Sequence, residues 1–248
     1  MIIIPRALWK FLFILNFVLG LLVLYPLFYL FLSKKEWFPM AFRLKKLWAR
    51  WILTVPGLFI KVKYETSAAA LPQPAVYCAN HASYLDIVIS YLVIPKYYVF
   101  MGKQELDKAP LFRIFFKEMN ILVDRSSNSS AHKAFLRAGA EIDKGHGAFL
   151  YPEGGISSSG KLRGFKNGAF KLAIEKQVPI VPITYLNNWR LLQNGGFFKV
   201  FGRPGISKVI VHEPISTVGM TENDLLPLRL KVHEIISKEL EKYNHENR

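Results

Sequence analysis

The sequence predicts an α/β fold, a mostly parallel sheet flanked by helices, preceded by an N-terminal helical segment that associates with a membrane. Three observations carry this expectation. From residue 75 onward, short apolar runs alternate with stretches of helical periodicity, the pattern of strands joined by helical crossovers. Ahead of them, residues 11–32 hold no charged side chain, and at ~1.5 Å per residue such a helix reaches across a hydrocarbon core of roughly 30 Å. Residues 37–51 then interleave Arg43, Lys45, Lys46 and Arg50 with Phe42, Leu44, Leu47, Trp48 and Trp51, the composition of a helix at a lipid–water interface.

Taken in order, the first segment is too long for the apolar part of a signal peptide and shows no convincing small-residue cleavage site. Pro26 is a potential kink within it. Two arrangements stay open: a spanning helix with the basic stretch on the cytoplasmic side, or a helical hairpin inserted into one leaflet. The chain divides into membrane-anchoring helices over 1–65 and an α/β domain over 66–248, at the stretch from Thr66 to Pro74. Strands are expected over 76–79, 97–101, 121–123, 148–151, 180–185 and 208–212. Helices are expected over 86–93, 110–117, 130–143, 165–175 and 222–243, with Ser129 capping the third and Gly145 ending it.

Composition narrows the partners. The formal net charge is +15 while 51% of residues are hydrophobic. A basic and apolar chain suits an anionic membrane surface better than a nucleic acid. The single cysteine, Cys78, excludes an internal disulfide and any multi-cysteine metal cluster. His132, His146, His212, His233 and His245 have no neighbours at ligand spacing, so no metal site is expected.

The chemistry concentrates just past the strands, where parallel sheets bind ligands. In Asn80-His81-Ala82-Ser83-Tyr84-Leu85-Asp86, a histidine and an aspartate stand five apart between a strand and a helix. A tight turn brings such a pair together, and a carboxylate then fixes the imidazole tautomer and makes its far nitrogen a better base. No serine nucleophile accompanies them; Ser83 reads as a helix cap. Lys103, after the second strand, is a candidate donor to substrate. Asp124-Arg125 ends the third strand, and the planar guanidinium suits a phosphate. Tyr151-Pro152-Glu153-Gly154-Gly155 opens a loop in which Lys161, Arg163 and Lys166 supply cations for an anionic head group. Within it, Gly155 to Lys161 has phosphate-loop spacing, but Leu162 stands where a hydroxyl must reach magnesium, which argues against nucleotide hydrolysis. Cys78 as a thiol nucleophile for His81 is disfavoured, because strand alternation points the two to opposite faces.

Together these motifs resemble the glycerolipid acyltransferase family, nearest its 1-acyl-glycerol-3-phosphate branch. Asn80, His81 and Asp86 match its Asn-His-x-x-x-x-Asp motif; Leu122-Val123-Asp124-Arg125, Tyr151-Pro152-Glu153-Gly154 and Val181-Pro182-Ile183 match three further blocks in the family order. Two departures are visible: Gly155-Ile156 stands where the family often has Thr-Arg, and Met119 stands where it tends to have glycine. The resemblance implies acyl transfer from a thioester to the free hydroxyl of a lysophosphatidic acid, giving phosphatidic acid. His81 and Asp86 are then the catalytic pair, without a covalent acyl-enzyme. Lys103, Arg125, Glu153, Gly154 and Lys166 are substrate-binding. No cofactor is bound; acyl-coenzyme A or acyl-carrier protein is the co-substrate. The site faces the cytoplasm, and the partners are the bilayer, both substrates and an acyl-carrier protein where that is the donor, with no nucleic acid. Glycerol-3-phosphate or another lysophospholipid as acceptor, and a non-catalytic lipid-binding protein, are the alternatives.

Overall fold

A computed structural model describes residues 3–103, 111, 113–117, 119–124, 127–157, 159–195 and 202–247. Its strands are β1 Leu58–Tyr64, β2 Val76–Ala79, β3 Tyr98–Lys103, β4 Ile121–Val123, β5 Gly147–Leu150, β6 Ile180–Tyr185 and β7 Gly205–Val211. They form one sheet in the order β1-β7-β6-β2-β5-β3-β4. The five strands from β6 to β4 are parallel. β7 runs antiparallel to β6, and β1 runs parallel to β7. The helices are α1 Ile3–Phe31, α2 Phe38–Thr54, α3 Leu85–Val93, α4 Arg113–Lys117, α5 Asn128–Asp143, α6 Gly168–Glu175, α7 Asn188–Leu191 and α8 Leu225–Glu246.

The apolar strand runs are buried on both sides, and period-two alternation divides them between two cores. Tyr77, Ala79, Tyr98, Phe100, Phe149 and Val181 face one layer, which α1, α2 and α3 cover. Val76, Cys78, Val99, Ala148, Leu150 and Ile180 face the other, beneath α5, α6 and α8. The expected three-layer α/β architecture is present, and β2 and β6 match their expected ranges.

Several expectations are corrected. β1 lies on the N-terminal side of residue 66, within the stretch expected to be membrane-anchoring helices. Its alternation of Ile60, Val62 and Tyr64 with exposed-side Lys61 and Lys63 is that of a half-covered edge strand. Ser127, not Ser129, caps α5 by accepting the Ser130 amide at 3.2 Å, while Gly145 follows that helix with φ +83°. α6 begins at Gly168 rather than residue 165, because the Lys166 amide donates to Pro152 O (2.9 Å) and keeps that segment extended. α7 was not expected at all.

α1 is continuous through Pro26 and packs antiparallel on α2. Trp51 Nε1 donates to Asn16 Oδ1 (2.7 Å), and Trp9 Nε1 donates to Pro56 O (3.0 Å). Gly20 lets the helices close: a Cβ there would lie 3.0 Å from the Trp48 indole. Phe28 reaches past Trp48 to Phe115 of α4, with ring centroids 4.8 Å apart. The opposite side of α1 is an exposed apolar stripe that includes Leu8, Phe11, Leu15, Leu19, Leu22 and Leu30.

α2 carries a buried cation. Lys45 is 4% exposed, with Nζ 3.1 Å from Met119 Sδ and over the rings of Phe115 and Tyr91. Desolvation lowers this amine to about 7. An amine in the unfolded chain titrates near pH ~10.4, so the unfolded state binds more protons over the interval between the two values. Stability therefore rises with pH across that interval. Lys45→Met, which keeps the aliphatic volume, is expected to raise the melting temperature at pH 7 and to flatten its rise toward pH 10. Thermal unfolding at a series of pH values checks both.

Candidate active site

The site forms where β2 ends. Asn80 takes the place of one more strand rung: its Nδ2 donates to Tyr185 O (3.0 Å) and its Oδ1 accepts the Tyr185 amide (2.8 Å). The side chain, not the backbone, thus completes pairing with β6, and the chain is released into a turn. His81 opens that turn. Asp86 lies in the first turn of α3, where the helix dipole favours an anion.

The turn folds Asp86 back under the imidazole. His81 Nδ1 lies 2.9 Å from Asp86 Oδ2, and the same oxygen accepts the amides of Ala82 (2.8 Å) and Ser83 (2.9 Å). An ionised carboxylate only accepts, so Nδ1 carries the proton, and in the neutral ring Nε2 presents its lone pair. Among the described residues no hydrogen bond is made by Nε2. The Tyr151 ring stacks on the imidazole, with centroids 3.9 Å apart and planes 15° apart. Burial raises the Tyr151 and Tyr185 hydroxyls well above the usual phenol range, so both stay neutral beside Asp86.

Glu153 sits on the loop after the neighbouring strand, β5. Its side chain is 1% exposed and turns inward. Oε1 accepts the His81 amide (2.7 Å) and Oε2 accepts the Arg163 amide (3.1 Å). Burial pushes this carboxyl up, opposed by those two amides and by the Arg163 guanidinium. The Ser157 amide donates to His81 O (2.8 Å), so both backbone groups of His81 are held by this one loop. Gly154 has φ +76°, a conformation that favours glycine, and the Lys166 side chain passes over it, with Cε 2.9 Å from where a Cβ would lie. Lys166 itself is exposed over that crossing.

The predicted residues divide. His81, Asp86, Glu153, Gly154 and Lys166 come together. Lys103 ends β3, paired with Val123 of β4, on the same edge of the sheet; its side chain lies outside the described residues. Arg125, two residues past β4, is also outside them. Arg163 closes on the loop itself, donating to Gly155 O and Glu153. Ser83 Oγ donates to Leu192 O (2.6 Å) and accepts the Leu85 amide (3.1 Å), so its hydroxyl is engaged on both sides just ahead of α3. Cys78 is fully buried in the other core, and burial pushes its thiol far above its usual value, so it is not a nucleophile. Sequence reasoning missed Asn188, whose Nδ2 donates to Asp86 Oδ1 (2.7 Å). Its only signal was a polar Asn187-Asn188 pair directly after an apolar strand.

The family model described as Acyltransferase matches residues 60–186. A 1-acyl-sn-glycerol-3-phosphate acyltransferase of Haemophilus influenzae is 30% identical over 218 residues, covering 80% of this chain and 82% of that one. The chloroplast 1-acyl-sn-glycerol-3-phosphate acyltransferase of Arabidopsis thaliana is 31% identical over 171 residues, 68% of this chain. The chain spans about half the length of that plant relative, 47%. In fold, the crystal structure of the 1-acyl-sn-glycerophosphate acyltransferase of Thermotoga maritima superposes with a TM-score of 0.74 at 19% identity, over 94% of this chain and 95% of that one.

Glu153 meets an amide donor at each oxygen, a position an amide side chain cannot fill without setting N–H against N–H. Glu153→Gln is expected to cost about 1–3 kcal/mol of stability. Hydrogen exchange at the His81 and Arg163 amides is expected to speed up with it, which mass-resolved exchange reads directly.

Proposed function

Because the chain belongs to the acyltransferase family, we propose that it moves a fatty acyl group from a thioester to the free hydroxyl of 1-acyl-glycerol-3-phosphate, giving phosphatidic acid. The observation that carries this reading is the His81–Asp86 pair, with Nδ1 committed to the carboxylate and Nε2 left as a base. Among the described residues no nucleophilic side chain stands ready: the Ser83 hydroxyl is engaged by Leu192 O and the Leu85 amide, and Cys78 is sealed in the core. The acceptor hydroxyl is therefore the nucleophile.

His81 Nε2 removes the hydroxyl proton as the oxygen attacks the thioester carbonyl. The tetrahedral intermediate collapses, the C–S bond breaks, and the imidazolium returns the proton to the leaving thiolate. Asp86 stabilises the imidazolium between those steps. The stacked Tyr151 ring holds the imidazole plane, and Glu153 holds its backbone. Lys103, Arg125 and Lys166 are the cations that seat the phosphate of the acceptor. The acyl donor is acyl-coenzyme A or acyl-carrier protein, and no bound cofactor is required.

The protein is held to the membrane by the outward stripe of α1 buried in one leaflet. α1 is packed lengthwise on α2 and reaches from Pro56 to Phe115, so its inner side belongs to the protein. Its outer side presents apolar residues from Leu8 to Leu30, ~33 Å of helix. Lys34, Lys35, Arg43 and Arg50 on the adjoining segments suit the anionic surface of the cytoplasmic leaflet.

In detergent, wild type is expected to form phosphatidic acid from lysophosphatidic acid, and the faster of the two thioesters names the donor. His81→Ala is expected to lose about 10²- to 10⁴-fold in kcat; equal rates in both proteins sink the mechanism. Replacing Leu15, Leu19 and Leu22 together by Asp is expected to abolish flotation with vesicles containing anionic lipid while leaving turnover of detergent-dispersed substrate within a few-fold. Retained flotation places the membrane contact elsewhere.

A further inference from the structure

We infer that Asn188 is a positioning residue for acyl transfer, holding Asp86 and through it His81, with its amide oriented by Ser207. The inference rests on the reading of His81 as the base. Asp86 is 0% exposed. Its Oδ2 takes three donors from the His81 turn, and its Oδ1 takes the Asn188 Nδ2 donor at 2.7 Å. Without Asn188, Oδ1 is a buried anionic oxygen with no donor among the described residues, a condition that costs free energy and invites the carboxylate to rotate.

The amide is fixed in the useful orientation. Ser207 Oγ lies 2.5 Å from Asn188 Oδ1, and Asn188 and Ser207 are 1% and 2% exposed. Asp86 only accepts, so Asn188 must show it the NH2 group, and Ser207 must then donate to the amide oxygen. A flipped amide would set oxygen against oxygen at Asp86. The preceding residue anchors the short helix independently: Asn187 Nδ2 donates to Ile206 O (2.8 Å) and Asn187 Oδ1 accepts the Lys208 amide (2.8 Å). Asn187 ties α7 to β7 on either side of Ser207, and Asn188 is left to serve Asp86.

The test compares wild type, Asn188→Ala, Asn188→Asp and Ser207→Ala, by steady-state kinetics from pH 5 to 8.5. Asn188→Ala is expected to lower kcat about 10- to 100-fold, the size seen when an outer partner of a functional group is removed, with KM for both substrates within about 3-fold. Ser207→Ala is expected to lose a few-fold. Asn188→Asp is the decisive variant. Two carboxyls at this distance share one proton at low pH, which preserves a donor to Asp86, and repel when both ionise. Its activity relative to wild type is expected to be near-normal at acidic pH and to fall as pH rises. The titratable groups facing Asp86 among the described residues are His81, Tyr151 and Tyr185, and both phenols stay neutral throughout. Loss of α7 alone would not be rescued by acid, so this variant decides the matter even where Asn188→Ala does not fold. Unchanged kcat in Asn188→Ala, or an Asn188→Asp profile parallel to wild type, overturns the inference. Wild type inactive on every acceptor overturns the functional reading instead. The Nδ1 proton of His81 then decides the inference alone: its downfield resonance is expected to move upfield or vanish in Asn188→Ala, and an unchanged resonance refutes it.

Discussion

A carboxylate without solvent has to be met by donors, and Asp86 is fully buried. That requirement shapes the surrounding chain. Two of its four donors are amides of the turn itself, which forces the turn to be tight. The third is the imidazole, whose tautomer is thereby fixed. The fourth comes from a residue more than a hundred positions later in sequence, so the site is complete only when β7 and α7 have docked. Electrostatics thus makes a local motif depend on the long-range topology of the sheet.

Glu153 applies the same logic to the other side of His81. An ionised acid presents two acceptors and no donor, and here each oxygen meets a backbone amide. One carboxylate lies under the ring and one behind the backbone. β2 and β5 are adjacent and parallel, so the ends that carry these two residues lie side by side. Glu153 in this arrangement is a brace that ties the cationic loop to the backbone of His81. The fixed loop also explains Gly154: a φ of +76° strains any residue with a Cβ there.

Much of this was legible in the sequence because it is local. The His81–Asp86 interval, the apolar runs of β2 and β6, and the Pro-Glu-Gly block all signal through spacing or composition. What stayed hidden depends on partners far away in the chain. β1 follows directly on apolar helices, so its alternation merges with theirs in the sequence; its pairing with β7 identifies it. Asn80 was visible as part of a motif, but its replacement of a strand rung needs Tyr185 opposite it. Asn188 lies in a four-residue helix, too short to show periodicity, and a polar pair after a strand looks like any surface turn. Lys45 read as one more interfacial cation, yet α3, α4 and Met119 close over it. Burial of a charged residue on an amphipathic helix is a property of the partner face, which periodicity does not encode.

The direction of the last strands links α1 to His81. Because β7 reverses against β6, and β1 follows β7, β1 begins at the end of the sheet where β2 stops and His81 lies. Trp9 bonds to Pro56 just ahead of β1, so α1 starts at that same end. The contact continues inward. Gly202 packs so closely that a Cβ would lie 2.6 Å from Lys10 Cγ and 3.0 Å from the Trp9 ring. Gly202 bridges to Leu192, and the Leu192 carbonyl accepts the Ser83 hydroxyl within the turn between His81 and Asp86. Three contacts therefore separate α1 from Ser83, two residues after His81. Under the proposed function, a lipid surface holding the outer stripe of α1 would set the height of the His81 turn above it, so that anchoring and alignment of the site would follow from one set of packing contacts.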